Sequence, residues 1–313
     1  MKGLRRALSK ALVEIGEEIE EVVLLDADAA SHTGARKFSE LFPLRSFNVG
    51  ISEQDLMGVA AGLASIGFIP VAVTYAMFAL RAWEQIRNTI ARAKLNVKIV
   101  TTHAGLSNYG DGASHQCLED IALMRVLPNF TVVAPADPVE AYEATLSIVK
   151  SSNPFYLRLE RDVNDPIYHS DPNFKVGEPI VLVDGEDALI MGYGSILKEA
   201  LIASRVLRKA HNISAGVVDF HTLKPFNSNF VRKAANGVNV IVTVEEHNKI
   251  GGLGSAVAET LATNSNRPAL GIIAVDDRFG ESSRSLIPLR RQMGLSSEAI
   301  VNKVVSLLEG DAR

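Results

Sequence analysis

Two rhythms of hydrophobic and polar positions alternate along the chain. Short apolar runs give way to longer stretches in which apolar side chains recur every three or four residues. This is the strand and helix alternation of a parallel sheet covered by helices on both faces. Leu4, Leu8, Ala11, Leu12, Ile15 and Ile19 predict a helix over 4–20, followed by a strand at 22–25 that ends in Asp26 and Asp28. A strand-like piece at 47–50 runs into a helix with Leu56, Val59, Ala60 and Leu63 on one face. Further strands are predicted near 70–74, 97–102, 131–134 and 154–159, with helices near 79–94, 118–126 and 137–150. Asp, Asn, Pro, His and Ser dominate residues 162–179, where no apolar period survives, so this segment reads as a linker. Beyond it the alternation resumes, with strands near 188–191, 214–219, 239–244 and 270–275 and helices near 196–209, 252–263 and 297–308. The expected fold is α/β, two doubly wound domains, 1–175 and 176–313.

Composition narrows the function classes. Apolar residues make up 47% and charged residues 22% of 313, with no uninterrupted apolar run of the ~20 residues that a bilayer span needs. A formal charge of −4, from 32 basic and 36 acidic side chains, leaves no footprint for nucleic acid or a membrane surface. One cysteine, Cys117, excludes an internal disulfide and reads as a small, semi-buried side chain. No apolar leader follows Met1, so the expected location is cytoplasmic.

Ligands of parallel α/β sheets collect at the C-terminal ends of the strands, and the residues there are polar or glycine-rich. Asp26, Asp28, Ser31 and His32 follow the first strand, and Gly50 to Gln54 the second. Tyr75 and Phe78 follow the third. The fourth opens a loop holding His103, Asp111 and His115. Glu53 stands in the first turn of its helix, where the dipole favours a carboxylate with or without a further role. Tyr75 and Phe78 are equally spaced for core packing. The His/Asp/His loop can hold a metal, orient a sugar or cap helices, and a metal is the weakest option because the spacings match no compact zinc pattern. No G-x-S-x-G elbow, dinucleotide fingerprint or Walker loop is present. Gly110-Asp111-Gly112 imitates the opening of a diphosphate and magnesium motif but lacks its downstream asparagines. Gly251-Gly252-Leu253-Gly254 can bind an anion at a helix start, although close strand and helix packing explains it better. His221 and His247 read as structural.

The order of these signals is specific. FNVGISEQDLMGVAAGLASIG (47–67), VTYAMFALRAWEQIR (73–87) and THAGLSNYGDGASHQ (102–116) resemble the pyrimidine-binding domain of transketolase. DFHTLKPF (219–226), VEEHNKIGGLGSAVAETL (244–261) and DRFGESSRSL (277–286) resemble its C-terminal domain. The resemblance implies thiamine diphosphate with Mg2+, and transfer of a two-carbon ketol unit from a ketose phosphate to an aldose phosphate. By the same resemblance Glu53 is the cofactor-activating carboxyl, hydrogen-bonded to the aminopyrimidine ring. Tyr75 and Phe78 enclose that ring, and Asp28 lies close to the cofactor. Arg5, Ser31, His103 and Arg161 correspond to residues that grip a sugar phosphate. Asp111 matches the residue that reads a substrate hydroxyl, and His115 the histidine near the donor carbonyl. Arg81 departs from the family, which commonly has an aromatic there.

The resemblance also implies a partner. Transketolase carries its GDG…N diphosphate and magnesium motif on a preceding domain absent from these 313 residues. The expected assembly is an α2β2 heterotetramer with a separate N-terminal subunit holding that motif, and no metal ligands on this chain. A 2-oxo acid dehydrogenase β subunit is the nearest rival, set apart by its glycine-rich YGGG…HSQ loop. 1-Deoxyxylulose-5-phosphate synthase has an arginine at the place of His103, and a non-catalytic paralogue would not need Glu53, Phe78, His103, Asp111 and His115 together.

Overall fold

The computed structural model describes residues 3–161, 166–265 and 267–310. Twelve strands form two sheets: β1 (Val22–Asp26), β2 (Ser46–Asn48), β3 (Ile69–Tyr75), β4 (Lys98–Thr102), β5 (Thr131–Val133), β6 (Phe155–Arg158), β7 (Ile180–Val183), β8 (Ala188–Gly192), β9 (Ala215–Asp219), β10 (Thr222–Lys224), β11 (Val240–Asn248) and β12 (Ala269–Val275). The first sheet runs β10-β5-β6-β4-β3-β1-β2 and the second β12-β11-β8-β9-β7. Both are parallel except at β10 and β7. Strands β1, β4, β6, β8 and β9 are buried on both faces, and β1, β8 and β9 accordingly read as near-continuous apolar runs.

The helix Leu4–Glu18 buries Leu4, Ala7, Leu8, Ala11, Leu12 and Ile15, the stripe that its spacing predicts. Asp137 caps the helix Pro138–Lys150 by accepting from the Val139 and Glu140 N–H groups at 2.9 Å each, with proline in the first turn. The single helix expected over 79–94 is instead a short α-turn (Ala76–Ala79), a 3-10 turn (Leu80–Ala82) and a π-helix (Gln85–Ala91). The wider turn buries Ile86, Ile90 and Ala91, while Trp83 Nε1 donates to the Leu123 carbonyl at 3.2 Å and Asn129 to that of Ala91 at 3.2 Å.

Of the expected linker, residues 162–165 lie outside the described residues. Residues 167 and 168, next along, are tied down. Ile167 and Tyr168 donate their N–H groups to Asp137 Oδ2 at 2.6 and 2.7 Å, and the Tyr168 hydroxyl donates to Asp219 at 2.7 Å. Strands β7 and β10 and the helices Ser228–Ala235 and Leu286–Gln292 have too few periodic residues to announce themselves in sequence. β10 matters most, because it comes from beyond residue 175 yet pairs with β5 in the first sheet. One apolar core accordingly spans both sheets, joining Leu25, Leu56, Ile86 and Ile99 to Phe220, Val231, Ile241 and Val257.

Candidate active site

β1 pairs with β2 on one side and β3 on the other, so the strand order reverses there, and parallel sheets bind ligands beyond the strand ends at such a point. Register aligns the surrounding residues. Asp26 lies opposite Val73, Tyr75 opposite Thr102, and Thr101 opposite Arg158. Asp28, Tyr75, His103 and Arg161, each just past a strand or at its last residue, therefore share one edge of the sheet.

On one flank stands Glu53, first residue of the helix Glu53–Ser65 and only 5% exposed. Arg81 Nε approaches its carboxylate at 3.5 Å, but the Arg81 side chain is 73% exposed. Such a solvent-screened pair is worth at most about 1 kcal/mol, so Glu53 can exchange it for a ligand at little cost. Gln54 donates to the Arg81 carbonyl at 3.3 Å, binding the helix start to the 76–82 segment. Asp28, in the left-handed region at φ 59°, exchanges two hydrogen bonds with Asn48, donating its N–H at 3.2 Å and accepting from Asn48 Nδ2 at 3.1 Å. Asn48 also accepts from the Gly50 N–H at 2.8 Å, which shapes the turn into Glu53.

The centre is aromatic. The Tyr75 and Phe78 rings are parallel within 5° with centroids 5.4 Å apart, and His103 stacks on Tyr75 at 3.8 Å. His115 meets Phe78 edge-on at 5.8 Å. Burial pushes the Tyr75 hydroxyl above its ordinary value, opposed by the positive charges of Arg161 and Arg5 and reinforced by Asp111. The fields of these three residues converge on the same ring. His103, also left-handed at φ 59°, is 3% exposed and pairs its Nδ1 with the Thr102 hydroxyl at 2.8 Å. Arg161 donates its N–H to Ser107 Oγ and its Nη1 to Asn108 Oδ1, both at 2.9 Å. Arg5 Nη1 donates to the His32 carbonyl at 2.9 Å, and Ser31 is exposed on the short helix Ala30–Thr33.

The loop holding His103, Asp111 and His115 is braced by the C-terminal half. Leu106 donates its N–H to Glu246 Oε1 at 2.6 Å, Gln116 Nε2 to the Glu281 carbonyl at 2.9 Å, and Ser283 its N–H to the Tyr109 carbonyl at 2.8 Å. Gly105, at φ 63°, admits the Glu246 carboxylate where a Cβ would collide with it. Asn48, Ser107, Asn108 and Glu246 lie inside the family-like motifs but carry no assigned role there, because each acts through a partner distant in sequence. Only Gly105, a glycine two residues past a strand-end histidine, hinted at a close approach. Cys117 is fully buried rather than half-buried, and burial raises its thiol well above the ordinary value.

At Gly251–Gly254 the helix Leu253–Ala262 already has its anion. The Glu245 carboxylate accepts from the Leu253 and Gly254 N–H groups at 2.7 and 2.8 Å. His247 is likewise engaged, accepting from the Ala122 N–H at 3.3 Å and meeting the Asn248 carbonyl at 2.6 Å. Among the described residues no three His, Cys, Asp or Glu side chains are arranged to hold a metal, and no helix is long and apolar enough to cross a membrane.

Comparison with known proteins gives this arrangement its class. The model of the transketolase pyrimidine binding domain matches residues 2–165, and that of the transketolase C-terminal domain matches residues 177–300. The first of these domains marks the thiamine diphosphate-dependent enzymes. More narrowly, the chain belongs to the transketolase family. A Methanocaldococcus jannaschii protein provisionally described as a transketolase C-terminal section is 42% identical over 307 residues, covering 97% of this chain and 96% of that one. A Clostridium protein described as a 6-deoxy-6-sulfo-D-fructose transketolase subunit is 34% identical, covering 98% and 94%. A solved structure described as a split gene transketolase, inactive β4 tetramer, shares 42% identity at a TM-score of 0.90, covering 99% of each chain.

Proposed function

We propose that this chain is the C-terminal subunit of a two-chain transketolase that moves a two-carbon ketol unit from a ketose phosphate to an aldose phosphate. The observation that carries this reading is the convergence, on one sheet edge, of a buried carboxyl at a helix start with an aromatic pair and a His/Asp/His/Arg cluster. The residues suit thiamine diphosphate: Tyr75 and Phe78 offer flat apolar surface for its pyrimidine, and Glu53 an acid shielded from water. When bound, that cofactor supplies the nucleophilic carbon that carries the ketol unit.

The roles of this chain follow from donor chemistry. Glu53 holds a proton at the ring nitrogen of the pyrimidine, and Asp28 and Arg81 border the same end of the cofactor. His115 and His103 donate to the sugar carbonyl and neighbouring hydroxyls. Asp111 accepts from a hydroxyl and so discriminates its configuration. Arg161 and Arg5 hold the phosphate, with Ser31 as a short donor. A separate N-terminal subunit would supply the magnesium and diphosphate contacts, in an α2β2 assembly. Support for that second polypeptide comes from the relatives that match over nearly their whole length and are themselves a section, a subunit and a split-gene protein.

The test is Glu53→Gln in the reconstituted two-subunit complex. Turnover should fall by about two to four orders of magnitude, the range expected for loss of a positioned acid or base, while assembly is retained. Turnover equal to that of the native complex would reject the role of Glu53.

A further inference from the structure

Behind the loop that carries His103 lies a buried ionic network joining the two halves of the chain. Its hub is Arg290, on the helix Leu286–Gln292 and 9% exposed. Arg290 Nε donates to Glu246, and Nη2 donates to Glu160 Oε2 at 2.9 Å and to Ser195 Oγ at 2.7 Å. Glu160 also accepts from the Ser195 N–H at 2.8 Å and from the Ser195 hydroxyl. Both carboxylates are almost wholly buried.

The two arms of this fork end on one loop. Through Glu246, whose other oxygen takes the Leu106 N–H, Arg290 reaches the backbone three residues past His103. Through Glu160 it reaches the neighbouring Arg161, which bonds Ser107 and Asn108 of the same loop. A buried guanidinium between two carboxylates is poor value as stabilisation, since well-packed apolar residues of similar volume do as well or better. What it does provide is geometry. A planar fork holds two acceptors at a fixed separation, which a flexible ammonium does not.

We propose that Arg290 is a positioning residue that fixes His103 and Arg161 relative to one another, and thereby sets discrimination for the phosphate group of the sugar. The inference rests on the reading of His103 and Arg161 given above. Arg290 touches no substrate in this scheme; it acts through Glu246 and Glu160.

Arg290→Lys keeps the charge and removes the fork. In the reconstituted complex, the ratio of kcat/KM for a phosphorylated ketose to that for the same ketose without its phosphate should fall about tenfold or more, since small misplacements of a gripping group are amplified in rate. Glu160→Gln, nearly isosteric, should lower the same ratio if the lysine variant folds poorly. Amide hydrogen exchange at Leu106 provides a readout independent of any substrate and should accelerate in Arg290→Lys. An equal loss for both ketoses, or an unchanged ratio, would reduce Arg290 to a structural residue and overturn the proposal. Unchanged exchange at Leu106 would overturn it whatever the substrate is. A native complex with no preference for the phosphorylated ketose would instead overturn the underlying assignment of Arg161, and that is seen before any variant is made.

Discussion

Glu53 and Arg161 stand for two ways in which single residues would serve the proposed site. Glu53 is buried by its own helix start, so its chemistry depends on what is brought to it. Arg161 is fixed by Ser107 and Asn108 and by the strand end that precedes it, so its position is set before any ligand arrives. Arg161→Met should therefore raise KM for a phosphorylated ketose about tenfold or more while kcat changes little, because lost charge-assisted bonds to a remote phosphate remove uniform binding. Steady-state kinetics of the two-subunit complex would check this, and a kcat loss without a KM change would assign Arg161 to the reacting centre. At this scale placement in the fold was legible in sequence, and function was not. Glu53, Tyr75 and His103 follow or end strands, where position alone marks a residue for inspection, whereas Arg161 was marked only by the family resemblance. Arg290 was not legible, because no local pattern pairs it with Glu160, which lies 130 positions away.

Between elements, polar contacts do what apolar periodicity cannot announce. The helix Pro138–Lys150 meets β9 and β10 through Glu140, Asp219 and His221, with Asp137 and Tyr168 alongside. Glu140 Oε1 and Asp219 Oδ1 are buried with no hydrogen-bond partner among the described residues, and burial, followed by the Asp219 charge, raises the Glu140 carboxyl well above its ordinary value. Burial pushes Asp219 from 3.8 up to about 7, and pushes His221 from 6.5 down to about 4. Their effects on stability have opposite signs. As pH rises from 3.8 to about 7 the unfolded chain releases the Asp219 proton before the folded chain does, so this contribution is lost with rising pH. As pH falls from 6.5 to about 4 the unfolded chain protonates His221 first, so that contribution is lost with falling pH. Asp219→Asn removes only the first effect. Its stability relative to the native chain should rise steadily across that window, as followed by urea midpoints in a pH series, and a pH-independent difference would contradict the upward displacement of Asp219. The breaking of the expected 79–94 helix has the same origin, since Trp83 and Asn129 make bonds to distant carbonyls that helical spacing does not encode.

The whole molecule is less divisible than its sequence. Alternation of strands and helices yielded both α/β halves, yet β10 crosses into the first sheet and one core spans the two. A three-residue strand whose partner, Val132 and Val133, lies 89 to 92 positions away leaves no periodic trace. Because the halves share apolar surface and the buried Arg290 network, calorimetry should show one cooperative transition, and two resolved transitions would mean that the interface is dispensable. In the proposed account the chain is one side of a site. On the proposed reading it contributes Glu53, the Tyr75 and Phe78 pair and the cluster of His103, Asp111, His115 and Arg161. The most direct measurement is ketol transfer by the purified chain with thiamine diphosphate and Mg2+, with and without the N-terminal subunit carrying the GDG…N motif. No transfer by the chain alone and restored transfer on mixing is the predicted result; full transfer by the chain alone would contradict the two-chain account.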